Sequence, residues 1–406
     1  MTNDTGSRRG ISRRELILGT GVAVGTAALT SATAGAVIAQ QEGLAATAIG
    51  VGIEPFFGPH QSGVQTAQQA HGVFTSYTLN ESATLDTVRG VMRVATIEAS
   101  RLCVGEPGMS DSDPTIATVP ARLTITFGFG HGLFDRVGLQ HKKPEGFIQL
   151  PAFAIDELRP EFSGGDLLIQ IGSDDPLTLS HAQRHMSRVV SSIAKPHFAQ
   201  RGFARAAGST VQGETPRNLM GFKDGTENPR TDAAFADQVW AGVDAGWFAG
   251  GTQLVIRRIA MKLDPWDRLG VGDKEGAIGR RIDSGAPLTG GDEFDVPDFT
   301  ATKANGLTVI PDYAHMRRAH NDDPAERFLR RPFNYDEGFT AGGEPNVGLI
   351  FTAYTTNIER RFLPVQKRLA EMDLLNVWTT PIGSSEFVIP PGVSEGEYIG
   401  QSLFEG

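Results

Sequence analysis

Leu85, Val88, Met92, Ala95, Ala99 and Leu102 recur every three or four positions, the spacing that lines one face of an amphipathic helix. Leu179, Met186, Val190 and Ile193 mark a second helix, which opens after Asp174-Asp175-Pro176. Strands follow from alternation with period two. Thr47-Ala48-Ile49-Gly50-Val51-Gly52-Ile53 gives a first strand, and Leu123, Ile125 and Phe127 a second. Leu167-Leu168-Ile169-Gln170-Ile171 reads as a third, buried on both faces. With a weak strand near 203–211, the first half runs β-α-β-β-α-β, the order of a ferredoxin-like module. In the second half, 252–263 and 348–354 read as strands. Phe362, Val365, Leu369 and Met372 mark a helix, and Phe387-Val388-Ile389 a short late strand. Between them, 268–308 is a long Gly- and Asp-rich excursion, and loops of that length usually carry function. The fold class is therefore α+β, with a domain boundary placed near residue 210. No internal sequence repeat links the two halves.

The N-terminus has a different character. Arg8-Arg9 and Ser12-Arg13-Arg14 precede a run of small and apolar residues from Leu16 to Ala39, which holds Ala32-Thr33-Ala34 and Val37-Ile38-Ala39. The run is just long enough for a membrane anchor, but its Gly, Thr and Ala content and its small-residue cleavage sites fit a cleaved export signal. The arginine pair points to the twin-arginine export machinery as a partner, and to a periplasmic, cell-envelope or extracellular destination. Domains are thus read as 1–39 signal, 40–210 and 211–406. The chain carries 406 residues and a net charge of −10. Losing residues 1–39 removes four arginines against Asp4 and Glu15, leaving −12. That acidity excludes nucleic acid as a partner, which needs a basic face. Cys103 is the single cysteine, so an intramolecular disulfide is excluded despite an oxidising destination.

Three stretches hold the candidate chemistry. Gly221-Phe222-Lys223-Asp224-Gly225-Thr226-Glu227-Asn228-Pro229 sets a carboxylate in a rigid, irregular turn, where reactive side chains commonly sit. Tyr313-Ala314-His315-Met316-Arg317-Arg318-Ala319-His320 offers an imidazole, and Phe328-Leu329-Arg330-Arg331-Pro332 offers guanidinium groups. Of the other histidines, His181 and His185 stand four apart on the second helix, a spacing that can bind a metal. Without a third ligand, a solvated helix face is the preferred reading. His60, His71, His131, His141 and His197 stand singly.

Taken together, these stretches resemble the dye-decolourising peroxidase family, in its exported bacterial branch with a deferrochelatase-like relative. The resemblance runs from about Gly50 to Phe404 and includes the GxxDGT core at Gly221–Thr226, a GxHQxG-like loop at Gly58–Gly63 and an AHxR-like stretch at Ala314–Arg317. It implies two ferredoxin-like modules, a dimeric α+β barrel-like arrangement, and a pocket for one non-covalent haem b mainly in the second. Covalent attachment is not expected, since no CxxCH motif is present. His315 would be the metal ligand, with Asp322, Asp323 and Glu326 as open alternatives for the carboxylate behind it. Gly225, Thr226, Glu227, His320, Asn321 and Asp322 would contact the cofactor, Gly225 and Thr226 by letting the backbone approach it closely. Where the family usually continues with Asn-Pro, this chain has Asn321-Asp322-Asp323-Pro324.

The resemblance assigns catalysis to Asp224 and Arg330. Asp224 would move the peroxide proton, and an aspartate, with an ordinary pKa of about 3.9, stays a base into acid solution. Arg330 would meet the developing anion, with Arg331 as the fallback. Arg257 and Arg258 would pair with haem propionates or form surface salt bridges. Trp240, Trp247, Trp266, Trp378 and Tyr335 would relay electrons or simply pack. The implied function is reduction of hydrogen peroxide through a ferryl intermediate, with one-electron oxidation of bulky aromatic or dye-type donors. Release of iron from haem and a non-catalytic haem carrier are the alternatives, and a homo-oligomer is possible.

Overall fold

The computed structural model describes residues 50–206, 208–211, 214–320 and 323–406. The export segment 1–39, residues 47–49 of the first expected strand, Asn321 and Asp322 lie outside them. Four strands come from the first half: β1 (His71–Leu79), β2 (Thr124–Gly130), β3 (Leu167–Ser173) and β4 (Ala194–Phe203). Helix α1 (Leu85–Cys103) joins β1 to β2, and α2 (Pro176–Val190) joins β3 to β4. The strands lie side by side as β2-β3-β1-β4, all antiparallel.

The second half repeats this order. Strands β5 (Thr252–Met261), β7 (Phe333–Phe339), β8 (Pro345–Thr355) and β9 (Thr379–Ile389) lie as β7-β8-β5-β9. The short β6 (Leu329–Arg330) pairs with β8 in the same register as β7, Arg330 opposite Ala353 and Phe333 opposite Ile350. The two are one edge strand interrupted at Arg331-Pro332, because proline has no N–H to give the ladder. Pairing of Phe203 with Asn334 and of Phe129 with Val388 joins the two halves edge to edge. The sheet thereby closes into a barrel, which leaves few exposed strand edges.

Strand alternation divides the buried side chains between two layers. Phe74, Leu168, Leu254, Ile256, Ile350 and Phe387 fill the barrel interior. Val73, Ile169, Ile171 and Val255 point the other way, into a core shared with Met92, Ala99, Leu179 and Met186 of α1 and α2.

Three sequence expectations need correction here. Gly50–Ile53 form no strand; Val51 and Ile53 are exposed, and the segment only receives irregular backbone bonds from Ala121 and Arg122. The first strand is instead His71–Leu79, whose polar Thr75 and Ser76 are buried and bonded to Gln183 and Gly164. With polar residues inside, the period-two signature disappears. The strand sought at 203–211 lies earlier, at Ala194–Phe203, and the late strand is far longer than Phe387-Val388-Ile389.

His181 and His185 are not on a solvated face. Both are buried, and each is bonded through Nε2 to a buried carboxylate, Asp111 at 2.8 Å and Glu98 at 2.9 Å. No group of three or more metal-ligating side chains forms among the described residues, so these are pairs, not a metal site. Glu98 also accepts from the backbone N–H and hydroxyl of Ser110, and so ties the 104–122 segment to both helices. Glu98→Ala leaves a buried imidazole and the Ser110 donors without their acceptor. Urea unfolding of the variant is expected to show a loss of about 3 kcal/mol.

Candidate functional site

The second-half sheet presents Arg257, Ile259, Leu349 and Phe351 to a deep cavity on its outer face. Across the cavity stands helix α4 (His315–Ala319), which follows α3 (Val271–Ile278) in the chain. Ile310, Ala314 and Met316 anchor α4 in a small apolar cluster. Reciprocal bonds, from Arg318 Nε to the Arg368 carbonyl at 3.3 Å and from Arg368 Nε to the Arg318 carbonyl at 3.2 Å, staple it to α5 (Leu363–Met372).

That staple brings the end of α5 to His315. Its Nδ1 sits 2.6 Å from Asp373 Oδ2, and Asp373 Oδ1 accepts from the Leu375 N–H at 2.9 Å. The carboxylate is therefore fixed by the turn it caps before it orients the ring. Among the described residues, no hydrogen bond engages His315 Nε2, and the imidazole lines the cavity. Burial opposes charge on this ring. The Asp373 carboxylate, by its charge and its hydrogen bond, outweighs burial and raises the His315 pKa above the ordinary imidazole value. Arg330 works against that rise and Asp224 with it, so the ring feels both groups across the cavity.

Asp373 is thus the partner that sequence reasoning missed. Of the three candidates, Asp322 is outside the described residues, Asp323 caps the turn at Pro324–Glu326, and Glu326 pairs with Arg368 at 2.6 Å. Asp373 lies 58 positions from His315 along the chain, and no local motif announces it.

Asp224 and Arg330 do come together. Asp224 Oδ1 lies 3.6 Å from Arg330 Nη2, and both side chains line the cavity. Asn228 sets this distance: its Nδ2 donates to the Arg330 carbonyl at 2.7 Å and its Oδ1 accepts from the Arg330 N–H at 2.9 Å. The turn that carries Asp224 is thereby stitched to β6, a role for Asn228 that the GFKDGTENP stretch alone did not suggest. Arg331 is no substitute for Arg330. Alternation along the strand sends it the other way, where it is buried and donates to Thr66 and Gln69, and burial pushes its pKa down to about 10.

The other expected contacts divide. Thr226, Glu227 and His320 line the cavity, His320 beside the Phe299 ring. Gly225 does not line it. Its φ of +121° instead allows the backbone reversal between Asp224 and Thr226, a conformation that side chains resist. Arg257 is buried and paired with Asp156, and its Nε and Nη1 have no partner among the described residues. Arg258 points into the barrel, where Glu337 at 2.8 Å and the rings of Phe162 and Tyr335 enclose it, so it does not reach the cavity. The ion pair of Arg257 is buried, whereas Arg258 reaches the exposed Glu337, the salt bridge allowed from sequence. His60 packs on Trp240, with ring centroids 3.9 Å apart, and bonds the Gly250 carbonyl, away from the cavity.

Comparison with known proteins agrees with this arrangement. Residues 61–204 match the family model of the Dyp-type peroxidase N-terminal domain, and 215–394 that of the C-terminal domain. A dye-decolorizing peroxidase of Thermobifida fusca is 34% identical over 80% of this chain and 78% of its own length. A deferrochelatase of Escherichia coli is 32% identical over 86% of this chain and 87% of its own. The crystal structure of a DyP-type peroxidase from Cellulomonas bogoriensis superposes with a TM-score of 0.85 at 42% identity, covering 88% of this chain and 100% of that one. One from Streptomyces coelicolor gives 0.84 at 38%, covering 89% and 99%. By both halves of its sequence and by its fold, this chain belongs to the Dyp-type peroxidase family.

Proposed function

We propose that the protein is a haem peroxidase that reduces hydrogen peroxide and oxidises bulky aromatic donors one electron at a time. The observation that carries this reading is the convergence on one cavity of a carboxylate-held imidazole and an aspartate–guanidinium pair.

The cavity suits a haem. An imidazole with Nδ1 fixed and Nε2 uncommitted is the donor that a haem iron takes from a protein. Apolar walls from Ile278, Leu349, Phe351 and Leu369 match a porphyrin face. The buried, incompletely partnered guanidinium of Arg257 on the cavity wall matches a propionate, since guanidinium pairs well with carboxylate. Bound haem supplies the redox chemistry that peroxide and donor share. The remaining work falls to the chain.

Asp373 keeps the proton on His315 Nδ1, which presents Nε2 as the ligand and raises its basicity. Asp224 Oδ1 takes the proton from one peroxide oxygen and returns it to the departing one, a transfer that an aspartate held at a cavity wall can make. Arg330, 3.6 Å from Asp224, is placed to meet the negative charge that grows on the departing oxygen. Asn228 holds Arg330 by its backbone, so its guanidinium needs little rearrangement.

Asp373→Asn keeps the shape but removes the charge behind His315. It is expected to lower peroxidase activity ten- to a hundredfold, with weaker haem binding in a Soret titration. Relatives named deferrochelatase suggest iron release as the rival reading. The discriminating experiment incubates the haem-loaded protein with peroxide and an anthraquinone dye. Dye bleaching without free protoporphyrin fluorescence supports the peroxidase; fluorescence without bleaching overturns it.

A further inference from the structure

The 268–308 excursion reaches back onto the turn that carries Asp224, and one buried carboxylate makes the junction. Glu293 accepts from Lys223 Nζ at 2.6 Å, from Thr226 Oγ1 at 3.0 Å and from the hydroxyl of Thr215. Lys223 and Thr226 flank Asp224, one position before it and two after, and Thr215 lies nine positions before it. Burial works against charge on Glu293, but the bonds from Lys223, Thr215 and Thr226 prevail and hold its carboxyl below the ordinary range.

The excursion grips the turn at further points. Arg280 donates to the Glu293 carbonyl at 2.8 Å and to the Gly285 carbonyl at 2.9 Å, which fixes the excursion on itself, and its Nη2 lies 3.7 Å from Glu227 Oε1. The Arg230 guanidinium lies over the Phe294 ring, 3.6 Å from its centroid. Gly285 leaves room for the Lys223 stem, since a Cβ there would come within 2.7 Å of Lys223 Cδ. Lys223 and Arg280 both line the cavity, so this contact forms part of its wall.

We propose that Glu293 is a positioning residue for Asp224, a clasp through which the excursion sets the catalytic turn. Resting on the peroxidase reading above, it gives the long, largely irregular excursion a role at the cavity. Glu293 touches neither Asp224 nor Arg330. It acts through the backbone on either side of Asp224, whose own N–H is bonded to the Pro216 carbonyl at 2.8 Å. A small displacement of such a group is costly, because proton transfer needs near-contact distances.

The test compares wild type, Glu293→Gln and Glu293→Ala as haem-loaded proteins. Glutamine can still accept from the threonines but loses the charge that holds Lys223, whereas alanine removes every bond. The second-order rate constant for reaction with peroxide is expected to fall severalfold in the glutamine variant and about ten- to a hundredfold in the alanine variant. Haem affinity and the KM for the donor should stay unchanged. Hydrogen exchange at residues 218–228 should quicken in the same order, with β5 unaffected. Unchanged exchange and unchanged peroxide rates would overturn the clasp. Loss of haem binding in both variants would also overturn it, in favour of general support of the fold. Should wild type itself fail to react with peroxide, the peroxidase reading falls, while the exchange data still decide the clasp.

Discussion

Arg330→Leu is expected to slow the first reaction with peroxide by about 10²–10³-fold while leaving haem binding intact. The size of the effect follows from what the residue alone provides. Its guanidinium pairs with Asp224 at 3.6 Å, and the neighbouring Arg331 is committed to Thr66 and Gln69 on the far side of the strand. Lys223, beside Asp224 in the chain, is held by Glu293. Arg280, which also lines the cavity, is committed to the Gly285 and Glu293 carbonyls, so among the described residues neither it nor Lys223 is as free to meet the charge on the departing oxygen. Arg330→Lys should recover only part of the rate. Asn228 would hold the backbone of either residue, but a point charge on a flexible stem replaces the planar guanidinium fork. Rapid-mixing absorption measurements at several peroxide concentrations check both values.

His315→Ala is expected to remove the nitrogen that would hold the haem iron and with it most haem retention and all peroxidase turnover. His320 cannot take over. It lies at the end of α4 against Phe299, while the Asp373 carboxylate is bonded to His315. The variant should still fold, because α4 is anchored by Ile310, Ala314 and Met316 and stapled by Arg318 and Arg368, none of which needs the imidazole. A Soret titration with haem, alongside far-UV circular dichroism, reads both expectations. Supplying imidazole in solution should restore part of the Soret intensity.

Much of this was legible from the chain because local rules governed it. The stripes over α1 and α2 are long, face one core and meet few competing demands, so periodicity located both helices. Asp224, His315 and Arg330 sit in the short stretches that carried the family resemblance, and the structure brings all three to one cavity. What could not be read was set by distance along the chain or by burial of polar groups. β1 hides Thr75 and Ser76 inside, so its alternation does not separate apolar from polar. Asp373 and Glu293 reach their partners across 58 and 67 to 78 positions, through packing that no local pattern encodes. His181 and His185 looked solvent-facing because their carboxylate partners come from a different helix and a loop. The choice between Arg330 and Arg331 required the strand itself, since neighbouring residues on a strand face opposite ways.

The most direct test mixes the haem-loaded protein rapidly with one equivalent of hydrogen peroxide and follows the Soret band. The band should be replaced within milliseconds in wild type, return on addition of an aromatic donor, and persist in the Arg330→Leu variant. A haem band in the wild type that peroxide leaves unchanged would contradict the peroxidase reading and leave a haem carrier or iron-release protein in its place.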